Sequence, residues 1–231
     1  MDSYQQYANR DLSSTADKSH DLMWVTYRWM SLGLALTGMV AFLVANSPAA
    51  TSLIFGNRML FYVLLFAELG VVMAFTPVVQ RVSTAAAVAM FLGYAALNGV
   101  TLSVIFLAYT QGSIAQTFFI TGGTFGALSL YGSTTKRDLS PIGRFMMFGL
   151  IGILIASVVN IFWANSALYW VTTYLGVLVF AGLTAYDTQK LQAMFQARGG
   201  ARNLPLIGAL ILYLDFVNMF LFMLRIFGRR R

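Results

Sequence analysis

Two carboxylates on either side of a turn are the residues in this sequence best placed to do chemistry. Asp187 and Asp215 both lie in apolar surroundings, and between them stand Gly199-Gly200 and Pro205. Gly-Gly stops a helix and proline suits a helix's first turn, so the spacing predicts two antiparallel helices, one ending near Arg198 and the next beginning at Pro205. Asp187 is then 11 residues before the stop and Asp215 is 10 after the restart. At about 1.5 Å rise per residue, both sit roughly 15 Å from the turn, level with each other. Within hydrogen-bond reach such a pair would share a proton, because two like charges in a partly buried site resist joint ionisation. Protonated, the pair is a closed latch between two helices. Ionised, it repels itself or accepts a hard cation, and two carboxylates with carbonyls and water form a weak Ca²⁺ site.

Other polar groups share this surface. Thr184 lies one turn before Asp187, and Asn218 one turn after Asp215, so each lies on the face of its carboxylate and is a candidate gate partner. Glu68 is a third acid in apolar sequence, and Arg81 closes the same stretch. A charged acid at mid-bilayer costs about 2.5–3.5 kcal/mol on insertion scales, so such residues face a bundle interior or a water-filled path. Each also has a plainer account: a hydrogen-bonded core acid for the carboxylates, an interhelical hydrogen bond for Asn218, a topology anchor for Arg81.

These residues require long apolar helices to position them, and the composition supplies little else. The chain is 58% hydrophobic and 10% charged, far from the quarter charged of a soluble domain. Apolar runs long enough to cross a bilayer occur at about 25–45, 59–79, 83–109, 115–132, 145–163, 167–187 and 206–227. The expected architecture is therefore an all-α polytopic membrane protein: a polar tail over 1–22, then one seven-helix domain over 23–231. The tail lacks the basic-then-apolar order of a secretory leader. Gly122-Gly123, Gly126, Gly149 and Gly152 are small-residue rows that suit close helix packing.

Absent residue types exclude whole function classes. With no cysteine and a single histidine, His20 in the tail, there is no thiol nucleophile and no histidine-based metal or acid-base site. No Gly-x-Ser-x-Gly elbow is present, and the last apolar run has no lysine for a Schiff base. No enzyme activity and no resident cofactor are expected. The net charge of +7 is carried by loops and tails, which is membrane topology and not a nucleic-acid surface. The tail and even-numbered loops hold ten Lys and Arg, against five on the other side, so the N-terminus is expected in the cytoplasm. Arg229-Arg230-Arg231 conflicts with that count, since seven spans put it outside; a re-entrant last segment would remove the conflict.

The C-terminal run Leu212-Tyr213-Leu214-Asp215-Phe216-Val217-Asn218, continuing through Leu224-Arg225-Ile226-Phe227-Gly228, resembles the last helix of the Bax inhibitor-1 family. Ala185-Tyr186-Asp187-Thr188-Gln189 resembles the same family, as do Ser129-Leu130-Tyr131-Gly132 and the stretch Thr134 to Ser140. The similarity covers nearly all of the chain after the tail and is closest to the bacterial inner-membrane branch. It implies a central final helix wrapped by two three-helix layers, and a pH-sensitive calcium leak. In that scheme Asp187 and Asp215 latch the pore and Glu68 lies in the path. An arginine near the cytoplasmic end of helix two would touch the latch; the nearest basic residue here is Arg81, preceded by Pro77.

Three functions fit. One is a pH-gated cation leak favouring calcium. Another is a non-conducting membrane regulator that binds other membrane proteins. The third is a proton-coupled transporter, for which paired intramembrane acids are equally expected. In each, the lipid bilayer is a partner, and in the first and third calcium ions and protons are as well.

Overall fold

The computed structural model describes residues 2–198 and 201–231, with side chains from Lys18 onward. The predicted helix stop at Gly199-Gly200 lies outside the described residues, as do the side chains of Arg10 and of the tail acids Asp2, Asp11 and Asp17. Among the described residues there are nine helices. They are α1 (Asp2–Ala45), α2 (Pro48–Gly56), α3 (Arg58–Val79), α4 (Thr84–Leu102), α5 (Val104–Ala108), α6 (Gln111–Thr134), α7 (Ser140–Trp163), α8 (Ser166–Arg198) and α9 (Leu204–Phe227). Short polar caps start several of them: the side chains of Ser47, Asn57 and Ser83 accept backbone N–H bonds from the first turns of α2, α3 and α4. The polar tail expected over 1–22 is helical and continuous with the first span.

Six segments are long and apolar enough to cross a membrane: Lys18–Ala45, Arg58–Val79, Thr84–Ala108, Ser140–Trp163, Ser166–Arg198 and Leu204–Phe227. The sequence reading counted seven, and α6 is the one that falls short. At 24 residues it is long enough, yet Gln111, Ser113, Gln116, Thr117, Thr121 and Thr124 dilute it. Burial explains Ser113, Thr117 and Thr121, while Gln111 and Gln116 are exposed. Thr117 and Thr121 are fully buried, and the Thr121 hydroxyl donates to the Thr117 carbonyl at 2.8 Å and to Met223 Sδ of α9 at 3.3 Å. A helix whose polar face meets protein need not be apolar all round.

The central position of the last helix is as expected. α9 touches α1, α3, α4, α6 and α8, and 78% of its most apolar window is buried, against 6% for the outer helices α3 and α7. On one side α1, α3 and α4 pack together; on the other α6, α7 and α8 do so. Leu212, Tyr213, Ala209 and Met219 have no exposed surface, so apolar packing dominates where α9 meets its neighbours, with Asp215 the buried exception.

The C-terminus crosses. Beyond α9, Tyr109 and Arg230 form an antiparallel bridge, with Thr110 N–H donating to the Arg229 carbonyl at 2.9 Å and Arg231 N–H to the Ala108 carbonyl at 3.0 Å. The tail is thus pinned to the α5–α6 loop, at the end of the bundle opposite the α8–α9 turn. A re-entrant last segment is excluded, and the arginines stand on the less basic side.

At the other end one side chain ties two loops together. Asn203 has a left-handed backbone (φ 62°) and its amide donates to the carbonyls of Val79 at 2.9 Å and Val82 at 3.2 Å, joining the start of α9 to the α3–α4 loop. Asn203→Ala removes both bonds and places a residue with no local compensation in a region that disfavours it, for a loss of about 2–3 kcal/mol. Asn203→Gly keeps the backbone comfortable and loses only the bonds. Thermal unfolding in detergent should therefore rank wild type above Gly above Ala; equal midpoints for all three would contradict this role.

Of the glycine rows read from sequence, Gly149 sits where α7 closely approaches α8, and the other positions do not touch a neighbouring helix. A β-carbon added at Gly122, Gly123, Gly126 or Gly152 meets nothing within 4 Å, and at Gly149 it meets only the Val179 side chain. Other close approaches include Gly132, against the Ala185 backbone; Gly99, against the Thr37 carbonyl; and Gly143, against the Tyr186 ring.

Candidate functional site

The site is built on α8, whose stretch Ala185 to Gln189 is gripped from three directions. Ala185 lies against Gly132 of α6, and Tyr186 lies against Gly143 of α7. Thr188 shares a 2.9 Å hydrogen bond with Ser129 of α6, which in turn accepts one from the Tyr27 hydroxyl at 3.2 Å. Gln189 accepts from Leu139 N–H at 2.9 Å and donates to the Arg137 carbonyl at 2.8 Å, so it binds both ends of the α6–α7 turn. Asp138 in that turn accepts the Ser140 N–H at 2.9 Å, which holds its carboxyl below the usual carboxylate range. The stretches around Tyr131-Gly132, Lys136-Arg137 and Tyr186-Asp187 are therefore one interface, and it fixes Asp187 opposite α9.

Asp215 faces it from α9. It is 5% exposed, and its Oδ2 has no hydrogen-bond partner. Asp187, half-buried on α8, is the acid beside it, and Lys190 lies three residues further along α8. The helices end at Arg198 and resume at Leu204, so the two carboxylates are level, as their spacing predicted. Next along α9, Phe216 meets Phe118 at 5.3 Å and Phe125 at 5.5 Å between ring centroids, a wall of aromatic rings beside the acid. From the other direction a groove of about 440 Å³, lined by His20, Tyr27, Ser129, Ser133 and Gln192, reaches the hydroxyl that pairs with Thr188.

Glu68 belongs to a different cluster. Its Oε1 accepts from the Thr101 hydroxyl at 2.6 Å and its Oε2 from the Asn98 amide at 3.3 Å. Asn98 Oδ1 accepts from the Tyr213 hydroxyl at 2.9 Å, and Tyr213 lies 2.7 Å from the Thr37 hydroxyl. This buried network joins α1, α9, α4 and α3. Tyr213 and Asp215 are two residues apart, about 200° around the helix, so α9 stands between Glu68 and the aspartate pair.

The candidate gate partners do not bond to the carboxylates. Thr184 donates to the Phe180 carbonyl at 2.7 Å and Asn218 to the Leu214 carbonyl at 2.8 Å, each within its own helix. Arg81 is exposed in the loop beyond α3, about 16 Å along the bundle from the pair. Sequence reasoning missed Thr37, Asn98, Thr101 and Tyr213. For Asn98 there was a signal, an amide in the middle of an apolar run; for the two threonines there was none. Among the described residues no group of three or more His, Cys, Asp or Glu could hold a metal ion. A resident Ca²⁺ takes six to eight oxygens, of which two carboxylates supply only part.

A family model described as "Inhibitor of apoptosis-promoting Bax1" matches residues 20–231. The chain is 50% identical over 210 residues to the inner membrane protein YbhL of Escherichia coli K12, covering 89% of this chain and 90% of YbhL. It is 44% identical over 206 residues to a protein of Borreliella burgdorferi, covering 87% and 89% of the two chains. A protein of Rickettsia prowazekii is 41% identical over 212 residues, covering 90% and 89%. The chain is a multi-pass membrane protein of the bacterial inner-membrane type, and it belongs to the Bax inhibitor-1 family.

Proposed function

We propose that the protein is a pH-sensitive cation leak through the bacterial inner membrane, with calcium as the favoured ion and Asp187 and Asp215 as its latch. The observation that carries this reading is the Asp215 carboxylate: buried in the central helix, with one oxygen unpartnered and a second acid facing it. Leaving a buried polar atom unpaired costs about 1–3 kcal/mol, more for a charge, and at Asp215 this cost falls on an acid with a second acid beside it. The groove by Ser129 gives water and protons a route from the Arg-rich end, which the charge bias puts in the cytoplasm. The Phe118, Phe125 and Phe216 rings close the other direction, as an apolar constriction does by excluding water. Glu68, across α9, is the second acidic station. No catalytic group is assigned, and the carboxylates act as a gate.

The test is to measure calcium uptake and proton release together in liposomes holding the purified protein. A leak moves calcium down its gradient with no fixed proton ratio. A constant ratio of protons out to calcium in would replace the leak with a proton-coupled transporter. No uptake above empty liposomes, from protein shown to be folded, would remove conduction and favour a regulator that binds other membrane proteins.

A further inference from the structure

We propose that the protein holds an anionic phospholipid headgroup in a pocket between the end of α9 and the start of α8. The pocket is about 530 Å³, inside the roughly 300–1000 Å³ range of small-ligand sites, and Ser166, Tyr169, Trp170, Arg225, Gly228 and Arg230 line it. Two guanidinium groups converge there on one ring. Arg225 lies over Tyr169 at 5.4 Å and over Phe222 at 5.0 Å, while Arg230 donates to the Tyr169 hydroxyl at 3.4 Å. Arg230 is not a loose tail residue, since the bridge to Tyr109 pins its backbone.

What these arginines lack is an acid. Among the eight Asp and Glu of the chain, none lies in the 46–57, 109–110 or 164–165 loops at this end, and none follows Asp215. Two cations held together, one half-buried and one exposed, with no acidic side chain at this end to pair with them, are free to take an anion from outside the chain. Guanidinium pairs suit a phosphate, which takes parallel N–H bonds from them. A lipid fits better than a free phosphate because of what lies below. Trp170, Val171, Tyr174, Leu175 and Leu178 recur on one exposed face of α8, each between 43% and 62% exposed, and they lead from the pocket along the membrane-spanning part of the helix. A headgroup in the pocket would lay its acyl chains on that stripe, with Trp170 and Tyr174 stacked at 5.9 Å at the interfacial level.

The probe is phosphatidylglycerol at 10% in phosphatidylcholine nanodiscs, with lipid retained after delipidation counted by native mass spectrometry. Wild type should retain phosphatidylglycerol in preference to phosphatidylcholine. Each basic residue near an anionic headgroup is worth about fivefold in affinity. Arg230→Gln should thus weaken retention about fivefold and the Arg225→Gln/Arg230→Gln pair about 25-fold, while Arg58→Gln, at the same end but outside the pocket, leaves it unchanged. Arg230 lies beyond α9, so its single variant still gives a reading if the double variant fails to fold. Equal retention of both lipids by wild type, or wild-type retention by folded Arg230→Gln, overturns the proposal. Displacement of the lipid by millimolar inorganic phosphate would also overturn it, in favour of a soluble phosphate ligand.

Discussion

A methyl group added at Gly132 is expected to leave little folded protein. In Gly132→Ala the new β-carbon would overlap the carbonyl of Ala185, and the obstacle is backbone, which has no rotamer to turn aside. α6 and α8 would have to separate, and with them the Ser129–Thr188 bond and the seating of Asp187. Overpacking costs about 1–3 kcal/mol where side chains can adjust; here it should reach about 3 kcal/mol or more, a large share of the 5–15 kcal/mol that holds a domain together. Folded yield and thermal unfolding in detergent check it. Gly126→Ala, with open space around the position, is the control and should be neutral or slightly stabilising through helix propensity. An unchanged midpoint for Gly132→Ala would mean that the two helices are not in backbone contact.

The second large effect is expected at Tyr213. Its ring packs edge-on against Phe91 at 6.2 Å and Tyr94 at 5.9 Å, and Tyr213→Phe keeps that packing. What goes is the hydroxyl that donates to Asn98 Oδ1 and meets Thr37, leaving a buried acceptor unpaired next to the amide that binds Glu68. Interhelical hydrogen bonds in membranes average about 0.6 kcal/mol and reach about 1.7, and a fully buried bridge belongs near the top, at about 1–2 kcal/mol. Thr37→Val should lose less, because it leaves the Tyr213–Asn98 bond in place. Equal stability of wild type and Tyr213→Phe would show that the network is incidental to the fold.

Much of this architecture could be read from the residues because membranes impose simple rules. Apolar length gave the helices, and the Pro signal placed the start of α9 to within a residue. The levelling of Asp187 with Asp215 followed from helical rise alone. Three things did not follow. α6 was taken for an ordinary span because its buried threonines look the same in sequence as exposed ones. Of the close-packing glycines only Gly149 was well placed, since glycine marks an approach only where a neighbouring helix arrives, as at Gly132 and not at Gly122. The Glu68 network joins Thr37, Asn98, Thr101 and Tyr213 from three other helices, and such non-local hydrogen bonds leave no periodic trace. Charge counting also left the C-terminus ambiguous, and the bridge between Tyr109 and Arg230 resolves it.

The central claim is that Asp187 and Asp215 gate the passage of cations, and calcium flux against pH tests it most directly. Liposomes holding wild type, Asp187→Asn or Asp215→Asn would be stepped from about pH 8 to pH 6, because two neighbouring carboxylates that share a proton change state with pH. An asparagine on either helix removes that shared proton while keeping the shape. The account predicts a wild-type flux that changes with pH and a shift or loss of that dependence in both variants. A wild-type flux indifferent to pH, or folded variants with the wild-type profile, would contradict it.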